Sequence, residues 1–280
     1  LFHSFERDYM RLVFKKRGMQ MNRLLRICKA NIVKMKRTPL IWVHILVPVT
    51  GSGLFLSYYS FSPWNEMTKV TGFLEAVAVT FPLIIAVVTS LCAELEKSSG
   101  DHKFLLGGSN PKLLTILAET LVLLFLGLLS VLATTCSFGA GFHLMGYEYY
   151  SQYFYLIAGV ILWLSSLTTY GIHVFVSFRF SKNISVGLGM VESLIAALFL
   201  TGLGDGVWPA APCAWGGRFI WWWQYVKSPE YILSRYQGDI QKALRREFAL
   251  PCVTAITVTV VCLIGLMLWF DRWEGKSSEE

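Results

Sequence analysis

The composition of this 280-residue chain indicates a membrane protein, because 54% of its residues are hydrophobic and only 15% are charged. Soluble domains usually contain about 25% charged residues, so the composition argues against a soluble globular protein. The net charge of +7 does not indicate nucleic acid, since membrane proteins collect Lys and Arg on their cytoplasmic side.

The N-terminal region is basic and contains two separate signals. Lys15 to Met21 spells KKRGMQM, which purine-rich codons resembling a ribosome-binding site can encode. We therefore expect translation to begin at Met21 and residues 1–20 to be an upstream extension. Between Met21 and Thr38, apolar residues are mixed with six basic residues and no acidic one. This pattern predicts either an amphipathic helix at the inner leaflet over 21–38 or a plain positive anchor.

Six apolar runs follow, each about 20 residues or longer, which is enough to cross a bilayer as a helix. They are Leu40–Tyr59, Thr71–Ala93, Leu113–Phe138, Tyr153–Val176, Ile184–Leu203 and Pro251–Trp269. The predicted fold class is therefore an all-α integral membrane protein, with an N-terminal amphipathic helix and six transmembrane helices over residues 39–273.

The Lys and Arg content of the short connectors predicts the orientation. The region before the first run and the connectors after the second and fourth runs are basic, whereas the connectors after the first and third contain at most one basic residue. We therefore expect a multi-pass protein with both termini in the cytoplasm, including the tail 274–280. The segment 204–250 is then extracellular.

This extracellular segment has two parts. Gly204 to Gly217 contains two Pro and four Gly, and we expect it to be non-helical. The aromatic residues that follow are typical of a belt at the membrane interface, with a substrate-binding surface as the alternative. They are Trp221, Trp222, Trp223 and Tyr225.

The chain lacks the motifs of common catalytic sites. No P-loop, HExxH or GxSxG motif is present, so an enzyme is disfavoured and neither catalytic nor metal-binding residues are predicted. The cysteines have no CxxC or metal spacing, so we expect free thiols, with a Cys213–Cys252 pair as the alternative. Glu119 and Glu192 lie within apolar runs. Because charge in lipid is costly, each lines a substrate path or forms a helix–helix hydrogen bond.

A polar connector at 92–112, CAELEKSSGDHKFLLGGSNPK, contains the apolar triplet Phe104-Leu105-Leu106. Asp101 can cap a short helix over His102–Leu106, and two glycines can end it. An apolar tip between charged residues at the cytoplasmic surface favours insertion into a partner protein. The alternative is that Phe104 folds back onto the helix bundle.

The same connector resembles the signature E-[KR]-x-x-G-[TD]-x-x-x-LL-x-x-x-P in the first cytoplasmic loop of ABC-2 type permeases. The matching residues are Glu96, Lys97, Gly100, Leu105 and Leu106, and Pro111 corresponds to the final Pro after four intervening residues instead of three. Over most of Met21 to Trp273 the chain is most similar to the lantibiotic immunity permeases of the mutacin, epidermin and nisin immunity group. The run Gly107–Asn110 departs from the more polar or basic turn that many relatives have there.

The resemblance implies a type V exporter-like ABC-2 permease in which residues 94–112 form the coupling loop. The loop would contact a separate cytoplasmic ABC ATPase dimer, which would bind ATP and Mg²⁺, while this chain binds no cofactor directly. The implied contact residues are Glu94, Glu96, Lys97, Gly100, Asp101, His102, Lys103, Phe104, Leu105 and Leu106.

The resemblance also implies a function. The chain would pair with a second permease, different or identical, in a bacterial cell membrane, and expel a cationic lantibiotic peptide so that the producing cell is immune. One alternative is an ABC-2 exporter of a drug, a lipid or another peptide. The other, from a different class, is a membrane sensor or carrier that works without an ATPase.

Overall fold

The computed structural model describes residues 20–100, 102–107, 110–227 and 245–275, apart from the side chains of 104, 226, 227 and 246. The predictions for residues 1–19, 228–244 and 276–280 lie outside this part of the chain. All regular elements within it are helical. The helices are α1 (20–35), α2 (Pro39–Tyr59), α3 (Glu66–Ser98), α4 (Lys103–Gly107), α5 (Lys112–Leu144), α6 (Gln152–Ser165), α7 (Leu167–Arg179), α8 (Lys182–Phe199), α9 (Pro212–Lys227) and α10 (Leu250–Arg272).

Five helices are long and apolar enough to cross a membrane, namely α2, α3, α5, α8 and α10 with the turn before it. Helices α6 and α7 meet the same criterion together, so up to six crossings result. This agrees with the predicted all-helical membrane class. Several helices extend past the predicted apolar runs, and α3 and α5 continue into polar residues at both ends.

The predicted fourth transmembrane helix consists of two helices that meet at an angle of 43°. At the break, Ser165 Oγ donates a hydrogen bond to the Ile161 carbonyl and Ser166 Oγ donates one to the Trp163 carbonyl, both at 2.7 Å. Hydroxyl groups bonded to preceding carbonyls bend helices. The sequence predicted one transmembrane helix over Tyr153–Val176, and the pair α6–α7 is long and apolar enough for that span. The break within it was not predicted, because a continuous apolar run does not signal a bend.

The helices run between two ends of the bundle, which we call the loop end and the far end. The loop end is defined by α4, the Asn110 side chain and Trp273, where Arg23 Nε donates to Asn110 Oδ1 at 2.8 Å and Lys112 Nζ donates to the Trp273 carbonyl at 3.3 Å. The far end is defined by Tyr59, Lys69 and Tyr147, which meet beyond the other ends of α2 and α5. The end of α10 therefore lies beside the α3–α5 connector.

Helix α9 corrects the expectation that Gly204–Gly217 is non-helical. Two 3₁₀ turns, Gly202–Gly204 and Trp208–Ala210, precede an α-helix that begins at Pro212. The glycines inside it permit close packing, since a Cβ at Gly217 would lie 2.6 Å from Leu200 Cδ2. The sequence pattern was misleading because Pro is well tolerated in a first helical turn and Gly also serves helix packing.

Arg218 of α9 holds the end of α8 in place. Its Nε and Nη2 donate hydrogen bonds to the carbonyls of Phe199 and Thr201 at 2.6 and 2.8 Å, and its Nη1 donates to Asp205 Oδ1 at 2.8 Å. The last carbonyls of a helix lack partners within the helix and carry partial negative charge. The guanidinium group therefore caps α8 and joins it to α9.

Helix α1 packs its apolar face on the bundle. Ile27 and Met35 are buried, and Leu24 and Cys28 are half-buried on the same face, whereas Val33 is exposed. The helix ends at residue 35, and α2 begins at Pro39 after a short turn. A helix is therefore present where an amphipathic helix was expected. The face with Ile27 and Met35 contacts protein, whereas Leu25 and Val33 are exposed, and a position at the inner leaflet stays a prediction.

All six cysteines are free, as the spacing predicted, and the alternative Cys213–Cys252 pair is not formed. In α1, burial raises the pKa of the Cys28 thiol. Because the thiolate is the reactive form, Cys28 is kept in its unreactive state.

Candidate functional site

The short helix α4 is anchored at the loop end by the residue before it. His102 has a φ of 62°, in the left-handed region, and its backbone N–H donates to the Glu96 carbonyl at 3.4 Å. Its imidazole is 5% exposed and lies 5.2 Å from the Trp273 ring and 5.7 Å from the Phe178 ring. The start of α4 is thus tied to the ends of α3, α7 and α10.

The predicted helix over His102–Leu106 is present as Lys103–Gly107. Leu105 was expected in an exposed apolar tip, but it is only 2% exposed and belongs to the apolar core of the loop end. This part of the prediction was wrong, because even a single helical turn has one side that faces the bundle, and Leu105 lies on that side. Lys103 and Gly107 are exposed and Leu106 is half-buried. Asp101 and the Phe104 side chain lie outside the described residues.

The charged residues before α4 fall into an exposed and a buried group. Glu94 and Lys97 are exposed, and Glu94 Oε2 lies 2.8 Å from Lys182 Nζ at the start of α8. Glu96 is only 6% exposed, so its side chain lies inside the chain rather than on the surface of the loop. Gly100 has a φ of 131°, a conformation that glycine readily adopts, which explains the glycine at this position of the chain.

The buried Glu96 belongs to a polar cluster between α1, α3 and α5. Lys34 Nζ forms an ion pair with Glu96 and lies 3.9 Å from Glu119 Oε1. Cys92 Sγ donates a hydrogen bond to the same Oε1 atom at 3.0 Å. Because Glu119 is 1% exposed, one ammonium group faces two buried carboxyl groups. Sequence patterns missed this cluster, since its members are far apart along the chain.

Glu192 is engaged by a second buried group. Its Oε2 lies 2.9 Å from Nε2 of His173, and Nδ1 of the same ring lies 2.9 Å from Ser185 Oγ. His173 and Ser185 are fully buried, and the Glu192 side chain is 14% exposed. The arrangement joins α7 to α8 as a helix–helix hydrogen bond would. A substrate path past Glu192 or Glu119 stays a prediction.

A cavity of about 270 Å³ lies at the loop end between α3, α7 and the start of α8. Glu94, Lys97 and Lys182 line it, together with the hydroxyl groups of Ser90 and Ser177. The Glu94–Lys182 pair is about half exposed, so it contributes little to stability. The lining carries charges of both signs and is adjacent to His102 and therefore to α4.

The aromatic residues of α9 pack on the bundle. Trp221 Nε1 donates to Glu75 Oε1 at 2.5 Å, and Trp223 Nε1 donates to the Phe154 carbonyl at 3.2 Å. Trp222 is 7% exposed and Tyr225 is half-buried. Trp222 is therefore inside the protein rather than on its surface, and the interfacial belt stays a prediction. Three consecutive Trp residues in the sequence did not indicate which of them face the bundle.

Together, these features indicate a helical membrane protein in which several ionisable groups within the helices are buried in pairs and clusters. Its candidate functional site is the loop end, where α4, the polar cluster and the cavity lie next to one another. No model of a known protein family matches the chain. No curated protein matches it significantly either.

Proposed function

We propose that this chain is the permease subunit of an ABC transporter, driven by a separate cytoplasmic ATPase dimer that binds ATP and Mg²⁺. The observation that carries the proposal is a short helix, α4, between two membrane-length helices, within a connector that resembles the ABC-2 loop signature. An ATPase outside the membrane needs such a protruding contact, because it must act on helices that it cannot reach within the bilayer.

The surroundings of α4 support this role. Its first residue, Lys103, is exposed, and the neighbouring Glu94 and Lys97 are exposed as well. Its inner residue Leu105 is buried with Trp273 in one core. A partner docked on the outer face of α4 is therefore mechanically connected to α3, α5 and α10 through packed side chains, which transmit displacement because protein interiors are dense.

For the substrate, we propose a cationic antimicrobial peptide of the lantibiotic class, expelled for self-immunity of the producing cell. Such a peptide is held in the membrane by buried apolar area and by attraction to anionic lipids. Its removal requires energy, which ATP supplies if the two permease states differ in their affinity for the peptide. The permease then needs two packing states and no catalytic side chain.

The docking proposal is tested by co-purification with the ATPase encoded beside the permease. The double variant Lys103→Glu with Phe104→Asp should lose the ATPase, because charge reversal and a buried unpaired carboxylate both disfavour docking. Glu148→Lys, at an exposed position of the far end, is the matched control and should retain it. Equal recovery of the ATPase with the double variant would refute the docking proposal, provided that both variants elute as folded protein.

The substrate proposal needs a test in cells. Deletion of the gene should sensitise the producing strain to one cationic peptide, with little change for unrelated drugs. Broad sensitisation to drugs would instead support an exporter of wider specificity. If a strain that lacks the ATPase is still fully protected from the peptide by this chain, the sensor or carrier alternative would be supported.

A further inference from the structure

A second cavity lies in the half of the bundle nearer the far end, away from α4. It has a volume of about 480 Å³ and lies between the α6–α7 break, α9 and α10. The side chains that form most of its wall are apolar, among them Ile161, Leu164, Phe219, Trp222, Ile256 and Val260. Its size is within the usual range for pockets that bind small ligands.

The hydroxyl groups in the wall are already occupied by the protein. Ser165 Oγ donates to the Ile161 carbonyl at 2.7 Å, and Thr259 Oγ1 lies 2.7 Å from Thr168 Oγ1 and donates to the Ala255 carbonyl at 2.6 Å. Their oxygen atoms can still accept a hydrogen bond, but the rest of the wall is mostly apolar, so a polar ligand would lose most of its hydrogen bonds to water on entering. Burying a polar group without a partner costs several kcal/mol in an apolar medium, so the wall selects an apolar ligand.

The position of the cavity indicates which apolar molecules can reach it. On α10 its wall extends from Cys252 to Val260, a rise of roughly 12 Å at 1.5 Å per residue. This length is close to the hydrocarbon thickness of one leaflet, about 15 Å. Ile256 and Val260 are also 65% and 50% exposed on a membrane-length helix. The cavity therefore opens sideways towards lipid.

Aromatic rings close one end of the cavity. The Phe248 ring lies 5.7 Å from the Trp222 ring and 6.0 Å from the Phe219 ring. These rings lie at the end of the cavity that is nearer the far end of the bundle, where Gln224 of α9 donates a hydrogen bond to Thr71 near the start of α3. A chain that enters from the side is thus limited in length by a ring cluster.

We propose that this cavity is a binding site for one acyl chain of a membrane lipid. An acyl chain needs no hydrogen bond, has the length of one leaflet and is present at high concentration at the opening. A peptide segment fits less well, because most of its backbone N–H and C=O groups would face apolar side chains. The proposal concerns a lipid site and does not depend on the transport function.

The bound chain would support α10. Its buried residues are Pro251, Leu266 and Phe270, and the last two lie towards the loop end. Along the cavity, Cys252 and Ala255 of α10 pack against the cluster that contains Trp215 and Phe219 of α9, whereas Ile256 and Val260 remain exposed. The lipid therefore completes the packing of this half of the helix.

The test is photocrosslinking of the full-length chain in vesicles of phosphatidylcholine and phosphatidylglycerol. Benzoylphenylalanine replaces Ile256, which lines the cavity, or Val253, which is similarly exposed at 61% but is not part of the wall. Mass spectrometry should find severalfold more lipid adduct for the Ile256 variant. With the probe at position 256, the added substitution Ala255→Trp, which fills the cavity, should reduce the amount of lipid adduct. With the same probe, the added substitution Val253→Trp should leave the amount unchanged.

Each other outcome overturns the proposal. Equal lipid adducts at positions 256 and 253 would mean that the probe meets only bulk lipid. An adduct with another part of the chain, with a second copy or with an added cationic peptide would assign the cavity to that occupant. Thermal unfolding of each variant in the same vesicles confirms that the comparison is made on folded protein.

Discussion

The Lys34 ammonium group of α1 forms an ion pair with the Glu96 carboxylate of α3. The pair joins the N-terminal helix to the last turns of α3, just before the connector that leads to α4. Glu119 of α5 lies on the other side of the same ammonium group. One cation thus holds together three elements that all end near the candidate docking helix.

Replacement of this cation should destabilise the fold. Lys34→Met leaves two buried carboxyl groups without their cation, and because Lys34 is 29% exposed we expect a loss of about 1–3 kcal/mol, less than for a fully buried pair. The free energy of unfolding in mixed micelles measures this. Lys29→Met, at an exposed position on the same helix, should have little effect. Adding Glu96→Gln to Lys34→Met should recover part of the loss; no recovery would contradict the ion pair.

Two glycines of α8 should respond in opposite ways to a methyl group. At Gly189 a Cβ would lie 2.5 Å from Ala86 Cβ and 3.2 Å from the Pro82 carbonyl oxygen, so Gly189→Ala should separate α3 from α8 and cost about 1–3 kcal/mol. At Gly187 a Cβ meets no atom within 4 Å among the described residues. Gly187→Ala should therefore stabilise the helix by about 0.5–1 kcal/mol. Unfolding of both variants under identical conditions checks the prediction, and equal destabilisation would refute the close helix contact.

Tyr150 should make stability depend on alkaline pH. The residue is 3% exposed, and burial raises its pKa to about 12, from about 10 in an unfolded chain. The folded state therefore binds this proton more tightly, so its contribution to stability is complete below about pH 10 and is lost as the pH rises towards 12. Unfolding measured at neutral pH and near pH 11 should show a larger difference for the natural chain than for Tyr150→Phe.

Tyr147 provides the control for Tyr150. Its hydroxyl accepts a hydrogen bond from the Lys69 ammonium group at 2.6 Å, and Lys69 is 2% exposed. Tyr147→Phe should therefore destabilise the protein by about 1–3 kcal/mol already at neutral pH. The Tyr150 hydroxyl has no hydrogen-bond partner in the part of the chain that the structure describes, so Tyr150→Phe should be nearly neutral there. The reverse order of the two variants would contradict these assignments.

The membrane helices were predictable because an apolar run of bilayer length rarely forms anything other than a transmembrane helix. Helix α2, for example, begins and ends within one residue of its run. The bend at Ser165–Ser166 was not predictable in the same way, since both hydroxyl groups sit in an uninterrupted apolar run. Helix α9 was missed because Pro212 and Gly217 are common in loops, and only its packing shows that both fit a helix.

The candidate site was predictable in position but not in detail. The glycines and the apolar triplet indicated a short helix in the connector, and α4 is present there. Which side of α4 faces the bundle depends on contacts with α7 and α10, and these made Leu105 a core residue. Likewise, the contact of Lys34 with Glu96 depends on how α1 is placed in space, which local patterns do not contain.

Trp273 fixes the end of the last helix to the connector. Its ring packs on His102 and its carbonyl accepts a hydrogen bond from Lys112, so the end of α10 cannot move without the connector that bears α4. Helix α10 is a rod of roughly 35 Å at 1.5 Å per residue, and its opposite half borders the apolar cavity. The connector that bears α4 and the apolar cavity thus border opposite halves of the same helix, and α10 is the element that links them.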